Sequence, residues 1–148
     1  MAESIEHYAR TVEQMLAEHR VLQYLKKRLK DPVPIVRKAV KDNALATLPK
    51  RGGLNEWVAK ATVKAKTSVT GDVIDIHLSA GRNSMGARSD LKRIDAGRVR
   101  HPAWGRRGRG QWSVTSVDAG FFTKPATDPE PWVAAADAGL DEALEVIR

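Results

Sequence analysis

Leu48-Pro49-Lys50-Arg51-Gly52-Gly53-Leu54 separates two regimes of apolar spacing, and this change of period restricts the fold most. Before the segment, apolar residues recur every three or four positions. After it they recur every second position. The first spacing suits a helix with one buried stripe, the second a strand with one buried face. Proline and paired glycines between them supply a stop and a turn. The chain is therefore expected to be α+β, with N-terminal helices and a C-terminal helix packed on a small, mainly antiparallel sheet. Its 148 residues suit a single domain over 1–148 with one modest core.

The helical half holds two elements. Residues 4–30, the N-terminal helix of 1–30, carry Ile5, Tyr8, Val12, Met15, Leu22, Leu25 and Leu29 on one stripe. Ser4 is a candidate cap, and Lys26-Lys27-Arg28-Lys30 sits where cations complement the helix dipole. Asp31-Pro32-Val33-Pro34 ends this helix, because proline disfavours helical geometry in the residue before it. A second helix runs from there to about Leu48, with Val33, Val36, Val40, Ala44 and Leu48 as its buried face.

Beyond the break, Val63, Ala65, Thr67 and Val69 alternate with Lys64, Lys66 and Ser68. Thr70-Gly71-Asp72 turns the chain. Ile74, Ile76 and Leu78 then alternate with Val73, Asp75, His77 and Ser79, which completes a hairpin. Ser89 to Ile94 fits a short helical turn, and Gln111 to Val117 alternates as a third strand. Asp128-Pro129-Glu130-Pro131 opens a closing helix, since proline is tolerated in a first turn. Trp132, Val133, Ala136, Leu140, Leu144 and Ile147 form its apolar stripe.

The stretch 80–125 is expected as a long interface loop region. Its centre, Gly97 to Trp112, holds five arginines, two tryptophans and four glycines in 16 residues. That mixture is too polar for a core element and too rich in tryptophan for a solvated linker. Long structureless segments inside compact domains are uncommon and tend to be functional. Charge is also distributed unevenly along the chain. Residues 1–125 carry 24 Lys/Arg against 12 Asp/Glu, while residues 126–148 carry one Arg against six acids. A basic body and an acidic tail can attract each other between neighbouring copies; an ordinary solvated surface with an acidic amphipathic helix gives the same counts.

No pattern calls for catalysis, a metal or a cofactor. His7, His19, His77 and His101 are scattered singly, and His7 and His19 lie more than three helical turns apart. There is no cysteine to act as nucleophile or thiolate ligand. The glycines at 52 and 53 lack the Gly-Lys-Ser/Thr of a phosphate-binding loop. No apolar run reaches the roughly 18 residues of a membrane span, and residues 1–6 lack the features of a signal peptide. What remains is the arginines. Arg98, Arg100, Arg106, Arg107 and Arg109 can neutralise phosphates while Trp104 or Trp112 stacks on bases. Arginine and tryptophan are equally the residues of protein–protein hot spots. Composition leaves these two readings even.

The order of motifs favours one of them. Leu48-Pro49-Lys50-Arg51-Gly52-Gly53-Leu54, the lysine-rich hairpin, Arg98-Val99-Arg100-His101-Pro102-Ala103-Trp104-Gly105 and Gly120-Phe121-Phe122-Thr123 precede a terminal helix. From about residue 33 to the end, this resembles the gene-product-ten-like head–tail joining proteins of tailed bacteriophages. The form is similar to that of siphophages and prophages of actinobacteria. The Tyr-Ala and Glu-x-Gly-Thr pattern of the more familiar members is absent. The resemblance implies a structural virion protein of the phage neck, not an enzyme, assembled in the bacterial host cytoplasm. It implies a homo-oligomeric ring, commonly a hexamer, between the portal, adaptor or stopper proteins and the tail terminator or tail tube, with genome DNA passing through the lumen. A tail terminator capping the tube is the near alternative, and an arginine-dependent nucleic-acid-binding protein the distant one. Arg98, Arg100, His101, Trp104, Trp112, Phe121 and Phe122 are the expected interface residues. Arg106, Arg107 and Arg109 are expected to face DNA or acidic neighbours.

Overall fold

The computed structural model describes residues 2–71, 73–82, 87–102 and 112–147. The fold is α+β, with helices and two two-stranded antiparallel sheets. In order, the elements are α1 (Ala2–Arg28), α2 (Pro32–Thr47), a 3-10 turn (Arg51–Gly53), α3 (Leu54–Ala59), β1 (Thr62–Thr70), β2 (Val73–Gly81), α4 (Ala87–Asp95), β3 (Arg98–Pro102), β4 (Trp112–Ser116), α5 (Thr123–Ala126) and α6 (Glu130–Ile147). The chain gathers into two compact units. One comprises residues up to Val33, Lys66–His77 and Pro129 onwards; the other comprises Pro34–Ala65 and Leu78–Asp128.

In the first unit, α1 packs against α6. The face of α6 that is buried differs from the expected stripe. Ala135, Gly139 and Ala143 are buried, whereas Val133, Leu140 and Leu144 are exposed. The reason is the closeness of the helices. A Cβ placed on Gly139 would stand 3.2 Å from Leu25 Cδ2 and 3.3 Å from Arg28 Cβ. Only small side chains admit that approach, so the larger apolar residues are left on the opposite face. Arg28 Nε donates to Glu142 Oε2 at 2.7 Å across the same seam, with Lys27 Nζ 3.6 Å from Glu142 Oε1. The apolar stripe of α1 is correspondingly incomplete. Leu22, Leu25 and Leu29 are half-buried, but Val12 and Met15 are exposed.

The second unit holds the larger core. Val36, Val40, Ala44 and Leu48 of the α2 stripe are buried there, and Val33 is buried in the first unit, so the three-and-four spacing located that face correctly. Gly52 and Gly53 both take positive φ, 81° and 72°, which reverses the chain after α2 at little steric cost. The reversal leads into α3, a helix that the sequence reading does not contain. Val58, Val63, Leu91, Ile94 and Phe121 complete the core. In the β1–β2 hairpin, Lys64, Lys66 and Ser68 are exposed between the more buried Val63, Ala65 and Thr67, and His77 is exposed as expected.

Stretch 80–125 is less of a loop than its composition suggests. It carries α4, the β3–β4 ladder and α5 among its described residues. Arg98-Val99-Arg100-His101-Pro102, expected in a loop, forms a strand, because Trp112–Ser116 needs a partner and Arg98–Pro102 supplies it. The third strand therefore makes a second sheet instead of extending the first.

Candidate functional site: the β3–β4 ladder and its supports

The register of the ladder sorts the predicted residues onto two faces. Arg98 stands opposite Ser116, Arg100 opposite Val114 and Pro102 opposite Trp112. Because opposite residues share a face, Arg98, Arg100, Val114 and Trp112 lie on the same side. The Arg100 guanidinium sits over the Trp112 ring, 4.8 Å from its centroid. Trp112 is nevertheless 51% exposed and Val114 65%. This face presents apolar and cationic surface together.

Val99, His101 and Thr115 occupy the other face. His101 Nε2 and Thr115 Oγ1 form a diagonal hydrogen bond of 2.8 Å across the ladder. Beside them opens a groove of about 510 Å³, which the Pro49–Gly53 turn, Leu54, Trp57 and Val117 also line. A smaller cavity of about 180 Å³ shares Leu54, Trp57 and Val99 and adds Arg93, Arg98 and Arg100. Trp57 is the largest of the side chains common to both. It is held by Arg82, whose guanidinium lies 4.8 Å from the indole centroid and whose Nη1 donates to the Trp57 carbonyl at 2.8 Å. Sequence reasoning passed over Trp57. Its one available signal was its position three residues after Leu54, on the same helical face.

Gly120-Phe121-Phe122-Thr123 brings one of its two aromatic rings into the core. Phe121 is 1% exposed and belongs to the core of its own unit. Phe122 is half-buried. Two side chains from distant positions hold the segment. Asn43 Nδ2 donates to the carbonyls of Gly120 and Phe121, both at 3.2 Å. Asp95 Oδ1 accepts from the amides of Phe122 at 2.8 Å and Thr123 at 3.1 Å, and Thr123 Oγ1 donates to Asp95 Oδ2. Asp95 thus supplies an acceptor to the start of α5, whose own preceding residue offers no cap. The Gly120 amide donates to the Asp95 carbonyl at 2.8 Å, and φ of 86° at Gly120 permits the turn.

Trp104, Arg106, Arg107 and Arg109 lie outside the described residues. His7 and His77 are exposed, and His19 is exposed with its Nε2 2.8 Å from Gln23 Nε2. Among the described residues, no three histidines, aspartates or glutamates gather as metal ligands, and no helix is long and apolar enough to cross a membrane. No family model, curated protein or solved structure matches the chain.

Proposed function

We propose that this chain is a structural virion protein of the tailed-phage neck. Copies of it form a ring that connects the portal, adaptor or stopper proteins to the tail tube and lets the genome pass. The motif order from about residue 33 onwards supports the family. The observation that carries the reading is the exposed ladder face. Apolar residues exposed singly are ordinary, but Trp112 and Val114 are exposed together, with Arg100 stacked on the indole. Rigid tryptophan and arginine anchors of this kind dominate protein–protein contacts once a partner excludes water around them. Arg98, Arg100 and Trp112 make the contact in this reading, while Phe121 and Asp95 hold the ladder's exit from behind. No step of it is catalytic.

Phage carrying Trp112→Ala, and separately Trp104→Ala, should accumulate unjoined heads and tails. The isolated Trp112→Ala chain should stay folded, since an exposed cation–π pair contributes only about 0.5–1 kcal/mol. Joined, infectious particles from both variants would refute the assignment. Imaging of the neck distinguishes a connector ring from a tail terminator seated on the tube end.

The same Arg100–Trp112 pair favours nucleic-acid binding as a second reading. That reading requires free-state DNA affinity falling with salt by a log–log slope of about −0.9 for each phosphate contacted. A ring component has little such affinity before assembly.

A further inference from the structure

The outward face of α6 has the composition of a binding surface. Val133, Leu140 and Leu144 are 56%, 43% and 54% exposed. At 3.6 residues per turn they fall within about 40° of one another around the helix, and Val133 to Leu144 spans about 16 Å. Asp137, Asp141 and Glu145, all exposed, occupy the next ~80°. The helix carries five carboxylates and no lysine or arginine, and Glu142, outside that acidic row, is drawn inward by Arg28 and Lys27. An apolar ridge flanked by an acidic row therefore faces away from α1.

The groove beside β3–β4 has the complementary chemistry. Leu54, Trp57, Val99 and Val117 give it apolar walls, and Arg51 lies at its edge. Arg98 and Arg100 line the adjoining cavity. The acid there, Asp90, already stands 3.8 Å from Arg93. Cations around an apolar groove match carboxylates beside an apolar ridge.

We infer that α6 of one copy docks, by Val133, Leu140 and Leu144, into the Trp57–Val99 groove of a second copy, with Asp137 and Asp141 against Arg51 at the groove edge. The two patches differ, so the contact is heterologous and can propagate from copy to copy. The inference rests on the ring reading above for its closure, though the contact itself does not require a closed ring.

The absence of cysteine makes a direct test clean, because every thiol present is an introduced one. Full-length Leu140→Cys and Thr115→Cys chains, each with an unchanged circular-dichroism spectrum, are mixed and treated with a short bismaleimide. A heterodimer linked between 140 and 115 should form, with a yield that rises with concentration. Adding Asp137→Arg and Asp141→Arg to the first chain should weaken association about a hundredfold, since like charges are then opposed. Arg51→Asp in the second chain should restore part of it. Links only between two 140 positions, or no 140–115 link at any concentration, would each overturn the contact. Rings seen by electron microscopy without the 140–115 link would sink the contact and spare the ring reading. A rescued link in open chains that never close would do the reverse.

Discussion

Replacing Asp95 with alanine tests whether one side chain, remote in sequence, organises the Gly-Phe-Phe segment. Its carboxylate accepts from the Phe122 and Thr123 amides and from the Thr123 hydroxyl. Hydrogen bonds to charged groups contribute about 1.5–3 kcal/mol each when buried, and a lost cap costs about 0.5–2 kcal/mol. Thr123 is exposed, so water can replace its two bonds. The Phe122 amide, beside the buried Phe121, is poorly placed to recruit water. The net loss should therefore be about 2–3 kcal/mol, and at about 2–4 °C per kcal/mol for a chain of this size it lowers Tm by roughly 4–12 °C. Urea unfolding should show a reduced midpoint at unchanged slope. Native-state hydrogen exchange should show the Phe122 and Thr123 amides opening sooner than the ladder amides. Asp95→Asn keeps an oxygen acceptor and should retain about half of the stability. A loss under about 0.5 kcal/mol in Asp95→Ala, with unchanged exchange at Phe122, would show that Asn43 and packing alone hold the segment.

Two further outcomes follow from the same geometry. Phe121→Ala should destabilise the second unit by about 3–5 kcal/mol, measured by chemical denaturation, because a fully buried phenylalanine is removed and the cavity refills only in part. The Arg28 guanidinium, through its hydrogen bond, holds the Glu142 carboxyl below its ordinary value, against the opposing effect of burial. The unfolded chain therefore binds that proton more readily. The stabilisation is present in full above the unfolded pKa of about 4.3 and is lost as pH falls through the lower folded value. Wild type should thus exceed Glu142→Gln in stability at neutral pH and converge with it in acid; a constant difference down to the lowest pH would refute the linkage. Arg28 is raised by the same pair, so its contribution lasts until strongly alkaline pH.

Much of the scaffold was legible because local periodicity reports burial directly. The α2 stripe and the β1–β2 alternation are cases where one face meets a core. The α6 stripe misled for a physical reason. Periodicity identifies the apolar ridge, but a close helix approach selects small residues, and Ala135, Gly139 and Ala143 read as neutral in a hydrophobicity pattern. The ridge it did find lies exposed, and that is what makes it a docking surface in the contact inferred here. Strand β3 was hidden by its arginines. A two-stranded ladder open to solvent tolerates cations on its exposed face, so composition suggested a loop.

The sequence by itself determined the class of fold and the break at Leu48–Leu54, and singled out Arg98, Arg100 and Trp112 by residue type. These follow from spacing, turn chemistry and residue type, all of which are local. Tertiary structure alone decided which aromatics are structural and which are displayed. Phe121 and Trp112 are both large and apolar, yet one is 1% exposed and the other 51%. The difference comes from Asn43 and Asp95, which lie 78 and 27 residues from the groups they bind. Long-range hydrogen bonds of this kind leave no period in the chain, and they fix one ring in the core while strand register turns the other to solvent.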